Sequence, residues 1–165
     1  PGRGTHSIVS YLPDRTCLDE NMKVADLIDF FSDFYRDFDR VKATEMLNTL
    51  NLSSLSRLKA LSKGNREKVQ LILTMSRRAQ LYILDEPIAG VDPAARDYIL
   101  NTILANYSED ASVLLSTHLI ADIERVLDEV VFLKEGSMVL HEGVDTIREE
   151  HGKSVDMLFR EVFSC

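Results

Sequence analysis

The stretch Leu81-Tyr82-Ile83-Leu84-Asp85-Glu86-Pro87 puts four apolar residues in a row, then two carboxylates, then a proline. An unbroken apolar run of this length reads as a strand buried on both faces, the habit of parallel sheets. Upstream, Val69, Ile72, Leu73 and Ser76 fall on one face of a helix. Downstream, Asp92-Pro93 reads as an N-cap followed by proline at the first helical position, which predicts a helix to about Tyr107. Ser112 to Ser116 reads as a second buried strand that runs into Thr117-His118. A helix follows over 119–127. Glu129 to Lys134 and Ser137 to His141 flank Glu135-Gly136, a hairpin signal. From Val144 the pattern gives two short helices broken at Gly152. Before residue 61 the text is helical: Val24, Leu27, Ile28 and Phe31 recur at one-face spacing, and Val41, Met46, Leu47 and Leu50 suggest a second helix. Buried strands alternating with helices predict an α/β fold with a mainly parallel sheet and right-handed crossovers, plus a helical segment.

Composition bounds the function. The 165 residues suit one domain, and 45% hydrophobic content allows a real core and excludes disorder as the main state. Lys and Arg number 19 against 27 Asp and Glu, a net charge of −8, so no broad basic surface argues for nucleic acid. No apolar run approaches the roughly 18 residues of a membrane span. The opening Pro-Gly-Arg-Gly-Thr-His is neither a signal peptide nor an initiator Met, which suggests a piece of a longer chain. Cys17 and Cys165 form no metal-type pair, and a reducing compartment fits them.

Three features carry chemistry. Asp85 and Glu86 stand at the carboxyl end of a strand, where open α/β sheets gather ligands. Adjacent carboxylates repel unless a cation or proton intervenes. A strand-end Asp suits Mg²⁺ on nucleotide phosphates, and the next Glu could take a proton from water; a plain polar loop is the other reading. His118, at the end of the next strand, could hold a phosphate oxygen or a water, or could simply be solvated. Leu61-Ser62-Lys63-Gly64-Asn65 precedes a helix, whose start favours phosphate; the other reading is an N-cap and turn.

In that order and at those spacings, the motifs resemble the ATP-binding subunit of ABC transporters, over roughly residues 10–143. Leu61-Ser62-Lys63-Gly64-Asn65 is similar to the family signature. Leu81 to Pro87 is similar to its Walker B strand, Gly90-Val91-Asp92-Pro93 to its D-loop, and Ser116-Thr117-His118 to its switch histidine. The resemblance implies a P-loop NTPase-like ABC ATPase core with ATP and Mg²⁺ as cofactors. It implies Asp85 toward the metal, Glu86 as general base and His118 at the γ-phosphate. Ser62, Lys63, Gly64 and Asn65 would meet nucleotide held by a second subunit, and Asp92 would lie at the dimer seam. It further implies a transmembrane permease partner, a second ATP-binding subunit, no nucleic acid, and a cytoplasmic, membrane-peripheral place. Residues 1–60 would hold the Q-loop region and the permease-docking helical subdomain, 61–143 the signature, Walker B, D-loop and switch part, and 144–165 a helical tail. The Ser-Thr-His-Leu-Ile run and the Val-Asp-Thr-Ile tail resemble the bacterial ABC-2, exporter-like branch.

The sequence departs from the family at several points. Lys63 and Asn65 replace the signature's usual Gly and Gln. Asp14, in Tyr11-Leu12-Pro13-Asp14, stands where the Q-loop has Gln; it is expected to reach metal or water. No Gly-x-x-x-x-Gly-Lys-Ser/Thr occurs in the 165 residues. Gly152-Lys153-Ser154 lacks the first Gly, because Ile147 fills that position, and it reads as a helix break. The expectation is therefore a carboxyl-terminal portion of an ATPase subunit, inactive alone. A soluble ABC-type ATPase and a non-catalytic module that keeps the fold are the competing readings.

Overall fold

The computed structural model describes residues 2–89, 91–107 and 110–163. In chain order the elements are α1 (Arg3–Ile8), β1 (Val9–Leu12), α2 (Val24–Phe34), α3 (Arg40–Thr49), α4 (Lys63–Met75), β2 (Leu81–Asp85), α5 (Pro93–Asn106), β3 (Ser112–Ser116), α6 (Ile120–Ile123), β4 (Glu129–Lys134), β5 (Ser137–Gly143), α7 (Val144–His151) and α8 (Val155–Phe163). They fall into two compact units, Pro1–Thr117 and His118–Cys165. The 117/118 boundary cuts the segment 61–143, and the helical pair α2–α3 shares a unit with the sheet.

In the first unit β1, β2 and β3 lie side by side, all parallel, with Leu12, Leu84 and Leu115 in register and Asp85 opposite Ser116. Successive strand residues face opposite ways. Ser10, Leu12, Tyr82 and Leu84 are buried, and α4 packs against β1. On the other face Tyr11 and Leu114 are 54% and 56% exposed, and Ile83 is half-buried. The run Leu81–Leu84 and the strand Ser112–Ser116 were both expected to be buried on two faces, and here the structure differs. An apolar run supplies surface that can be buried; a second covering layer is what buries it, and the described residues cover this face only in part. Strand β1 and helix α1 were not anticipated.

The helical pair follows its sequence pattern. In α2 the buried residues are Val24, Leu27 and Ile28; in α3 they are Ala43, Met46 and Leu47, while Val41 is exposed. The Asp39 carboxylate caps α3 by accepting the Lys42 N–H at 3.0 Å. That bond and the nearby Arg78 guanidinium hold the Asp39 pKa below its ordinary value. Both helices pack on α4, whose residues Val69 to Met75 are all buried. A helix stretch buried on every side belongs between layers, and this part of α4 lies between the helical pair and β1, with its buried polar Thr74 hydroxyl donating to the Gln70 carbonyl.

The second unit folds around its own cluster of Ile120, Val130, Phe132, Val144, Ile147, Val155 and Leu158. The β4–β5 hairpin turns at Glu135 and Gly136, with φ of 51° and 78°. Positive φ at both central residues suits the twist of the flanking strands. The rings of Phe132 and Phe159 meet edge-on with centroids 5.3 Å apart. Gly152, left-handed at φ 60°, ends α7 and lets the chain turn into α8.

Candidate functional site

The strongest geometry lies where β2 stops. The Ser116 hydroxyl donates to Oδ1 of Asp85 at 2.6 Å and accepts the Glu86 N–H at 3.1 Å. The same N–H also reaches the Ser116 carbonyl at 3.1 Å. These bonds cross from β3 to the strand end, orienting the Asp85 carboxylate and fixing the backbone of Glu86. Glu86 has φ of 49°, left-handed for a residue with a side chain. That conformation costs on the order of 1 kcal/mol or more and persists where its surroundings impose it, which is common at functional sites. One Glu86 carboxylate oxygen, Oε2, is shielded from solvent.

A cleft of about 580 Å³ opens over this strand end, lined by residues of β1 and β2, their following loops and α4. Asp85 and Glu86 line it with Asp14, Lys63, Arg66 and Gln70. Asp14 sits on the exposed loop after β1, 4.0 Å from the Arg15 guanidinium. Gln70, 8% exposed, donates from Nε2 to the Pro13 carbonyl at 3.1 Å and ties that loop to α4. Among the described residues no three His, Cys, Asp or Glu side chains group into a metal cage. A Mg²⁺ ion does not need one: it keeps water and phosphate ligands around one or two carboxylates. Asp85, oriented through one oxygen by Ser116, fits that donor set.

The motif Leu61 to Asn65 does not simply precede α4; from Lys63 it is the first turn. Ser62 is the N-cap, its hydroxyl accepting the Asn65 N–H at 3.3 Å. Lys63 therefore takes an ordinary helical backbone, and its ammonium lies 3.7 Å from Glu67 one turn on. A Cβ placed on Gly64 meets nothing within 4 Å. Asp92 directly precedes α5, and its carbonyl accepts the Arg96 N–H at 3.0 Å. Gly90, quoted above in the same motif, lies outside the described residues. β3 ends at Ser116, as its sequence pattern predicts, and His118, two residues beyond it, is exposed and opens the second unit. The structure thus brings Asp14, Lys63, Asp85 and Glu86 around one cleft. Ser116 and Gln70 were missed as positioning residues. Ser116 had a readable signal, a hydroxyl closing an apolar strand next to an acidic one; Gln70 had none.

Comparison with known proteins agrees with this architecture. Residues 3–89 match the family model described as ABC transporter. The ABC transporter ATP-binding protein YtrB of Bacillus subtilis is 28% identical over 152 residues, 92% of this chain and 52% of that protein. An uncharacterized ABC transporter ATP-binding protein of Methanocaldococcus jannaschii is 33% identical over 144 residues, 84% of this chain and 55% of that protein. The chain spans about half the length of the curated relatives it matches. A solved ATP-binding subunit of an ABC transporter superposes with a TM-score of 0.82 at 28% identity, covering 93% of this chain and 68% of that one.

Proposed function

Because this chain belongs to the ABC transporter family, we propose that its residues supply the signature, Walker B and switch portion of an ATP-binding subunit that hydrolyses ATP to drive transport. The observation that carries this reading is the β2 terminus: Asp85 oriented by Ser116, and Glu86 held left-handed beside it, at one cleft. Asp85 would hold Mg²⁺, which when bound neutralises phosphate charge. Glu86 accepts the proton of the attacking water, and His118 donates to the γ-phosphate. Ser62, Lys63, Gly64 and Asn65, at the start of α4, meet the phosphates of nucleotide on a second ATP-binding subunit, across a seam that includes Asp92. Residues 1–60 carry the Asp14 loop and the helical pair that docks on a transmembrane permease, 61–143 the ATPase motifs, and 144–165 a helical tail.

The exposed, stacked rings of Phe30 and Phe34, with centroids 6.0 Å apart on α2, support the docking face. No helix among the described residues is long and apolar enough to cross a membrane. The proposed place is the inner face of the cell membrane, held there by the permease. The deciding experiment measures ATP turnover and ATP binding in the ATP-binding subunit that contains these residues, with Glu86→Gln beside the wild type. Loss of the base lowers turnover about 10²-fold or more while binding survives. Near-normal turnover rejects Glu86 as the base. A wild type that binds but does not hydrolyse supports the non-catalytic reading instead.

A further inference from the structure

Arg77 lies in the connection between α4 and β2, where a sequence reading would leave it in solvent. It is 3% exposed. A guanidinium is buried only when its donors are matched, and these are matched by two distant parts of the chain. Nε and Nη2 grip the Asp37 carboxylate at 3.2 and 2.9 Å. Nη1 donates to the Val9 carbonyl at 2.6 Å, and Nη2 also donates to the His6 carbonyl at 2.8 Å. The guanidinium carbon lies 3.9 Å from the centroid of the Tyr35 ring. The Arg77 backbone is fixed too: its carbonyl accepts the buried Tyr82 hydroxyl at 2.5 Å. On either side, the Asp39 N–H meets the Ser76 carbonyl at 2.7 Å, and the Arg78 N–H meets the Asp37 carbonyl at 2.9 Å.

Tyr35 and Asp37 belong to the connection between α2 and α3. His6 and Val9 belong to the junction where α1 becomes β1, and β1 runs on to Leu12, Pro13 and Asp14 at the cleft. One planar cation therefore joins the two segments, with its rigid fork turned to both. We infer that Arg77 is a positioning residue that locks the α2–α3 connection to the start of β1, so that a push on the helical pair reaches the loop bearing Asp14. The functional consequence rests on the reading that α2–α3 docks on a permease; the lock itself does not.

Hydrogen exchange on the chain tests the lock, with Arg77→Lys and Asp37→Asn as variants. Lysine keeps the charge but cannot hold Asp37 and two carbonyls together, and asparagine keeps the shape of Asp37 without its charge. Each variant should speed exchange in residues 35–39 and 9–12 together, by about ten-fold or more, with α7 and α8 unchanged. Acceleration of one segment without the other overturns the inference. If Arg77→Lys unfolds the first unit, the isosteric Asp37→Asn decides. A second measurement uses the ATP-binding subunit that contains these residues, assembled with its permease. Turnover without permease should stay within about two-fold, while stimulation by permease falls about five-fold or more, the size of a modest coupling energy. A proportional fall in both, or undiminished stimulation, overturns the coupling. A wild type that hydrolyses ATP without permease stimulation overturns the docking reading alone, because the paired exchange result is independent of it.

Discussion

Gly64→Ala separates what the fold needs from what the site needs. Gly64 is the second residue of α4, and its φ is not in the left-handed region. An added Cβ meets nothing within 4 Å. Neither strain nor crowding therefore opposes alanine. Glycine in a helix costs about 0.5–1 kcal/mol relative to alanine, through backbone entropy in the unfolded chain. The first turn recovers part of that, so the variant should gain about 0.5 kcal/mol and melt roughly 1–2 °C higher. A residue that lowers stability without any local need for its conformation calls for another reason. In the proposed composite site that reason is close approach of the α4 start to phosphate, where a methyl group displaces the reacting group. Turnover in the ATP-binding subunit should then fall about 10²-fold, the penalty of a displacement near 1 Å. Circular dichroism melts and a phosphate-release assay measure the two effects. A destabilised Gly64→Ala refutes the structural argument, and unchanged turnover refutes the functional one.

Other perturbations follow the same geometry. Leu84 is 0% exposed in the middle strand, so Leu84→Ala should cost about 2–5 kcal/mol in denaturant unfolding of the first unit. Tyr82→Phe removes the hydroxyl that meets the Arg77 carbonyl and should cost about 1 kcal/mol by the same method. Asp39→Ala removes the α3 cap and should cost about 0.5–2 kcal/mol at neutral pH. Since the folded state lowers the Asp39 pKa, its charge contribution is full above the unfolded value of about 3.9 and fades as pH falls through the folded value. The gap between wild type and Asp39→Ala should therefore narrow in melts taken below about pH 4, and a gap that widens in acid contradicts this assignment.

Local signals foretold local structure. The cap at the Leu61–Asn65 motif, the Glu135-Gly136 turn, the break at Gly152 and the apolar spacing of α2 each involve neighbours in the chain, and each has a short-range cause. Strand β1 does not. Its four residues Val9–Leu12 include a serine and a tyrosine, too short a run to show a period, and it exists because it pairs with β2 some seventy residues later. Burial was the other blind spot. Leu114 is as apolar as Leu84, yet one is 56% exposed and the other 0%. The difference lies in which face of the sheet α4 covers and which it leaves open, and no window around either leucine holds that information.

The same division runs through the site. Asp85 and Glu86 were legible because a carboxylate pair after an apolar run is locally conspicuous. What makes them a site came from elsewhere: Ser116 from the neighbouring strand, and Gln70 from α4, setting the loop of Asp14. Arg77 is the extreme case, for in the string Ser-Arg-Arg it reads as surface charge. Arg78, beside it, behaves as that reading expects, with its side chain 78% exposed and bound to Asp39. The two arginines differ only in which way the chain turns between α4 and β2, and that turn is set by Tyr82 and by the backbone bonds to residues 37 and 39. Residues that act on a ligand can be picked out by type; residues that hold them in place have to be picked out by contact. Substitutions at Ser116, Gln70 and Arg77 therefore probe the architecture of this site more directly than substitutions at its carboxylates, which remove the chemistry and leave the positioning unexamined.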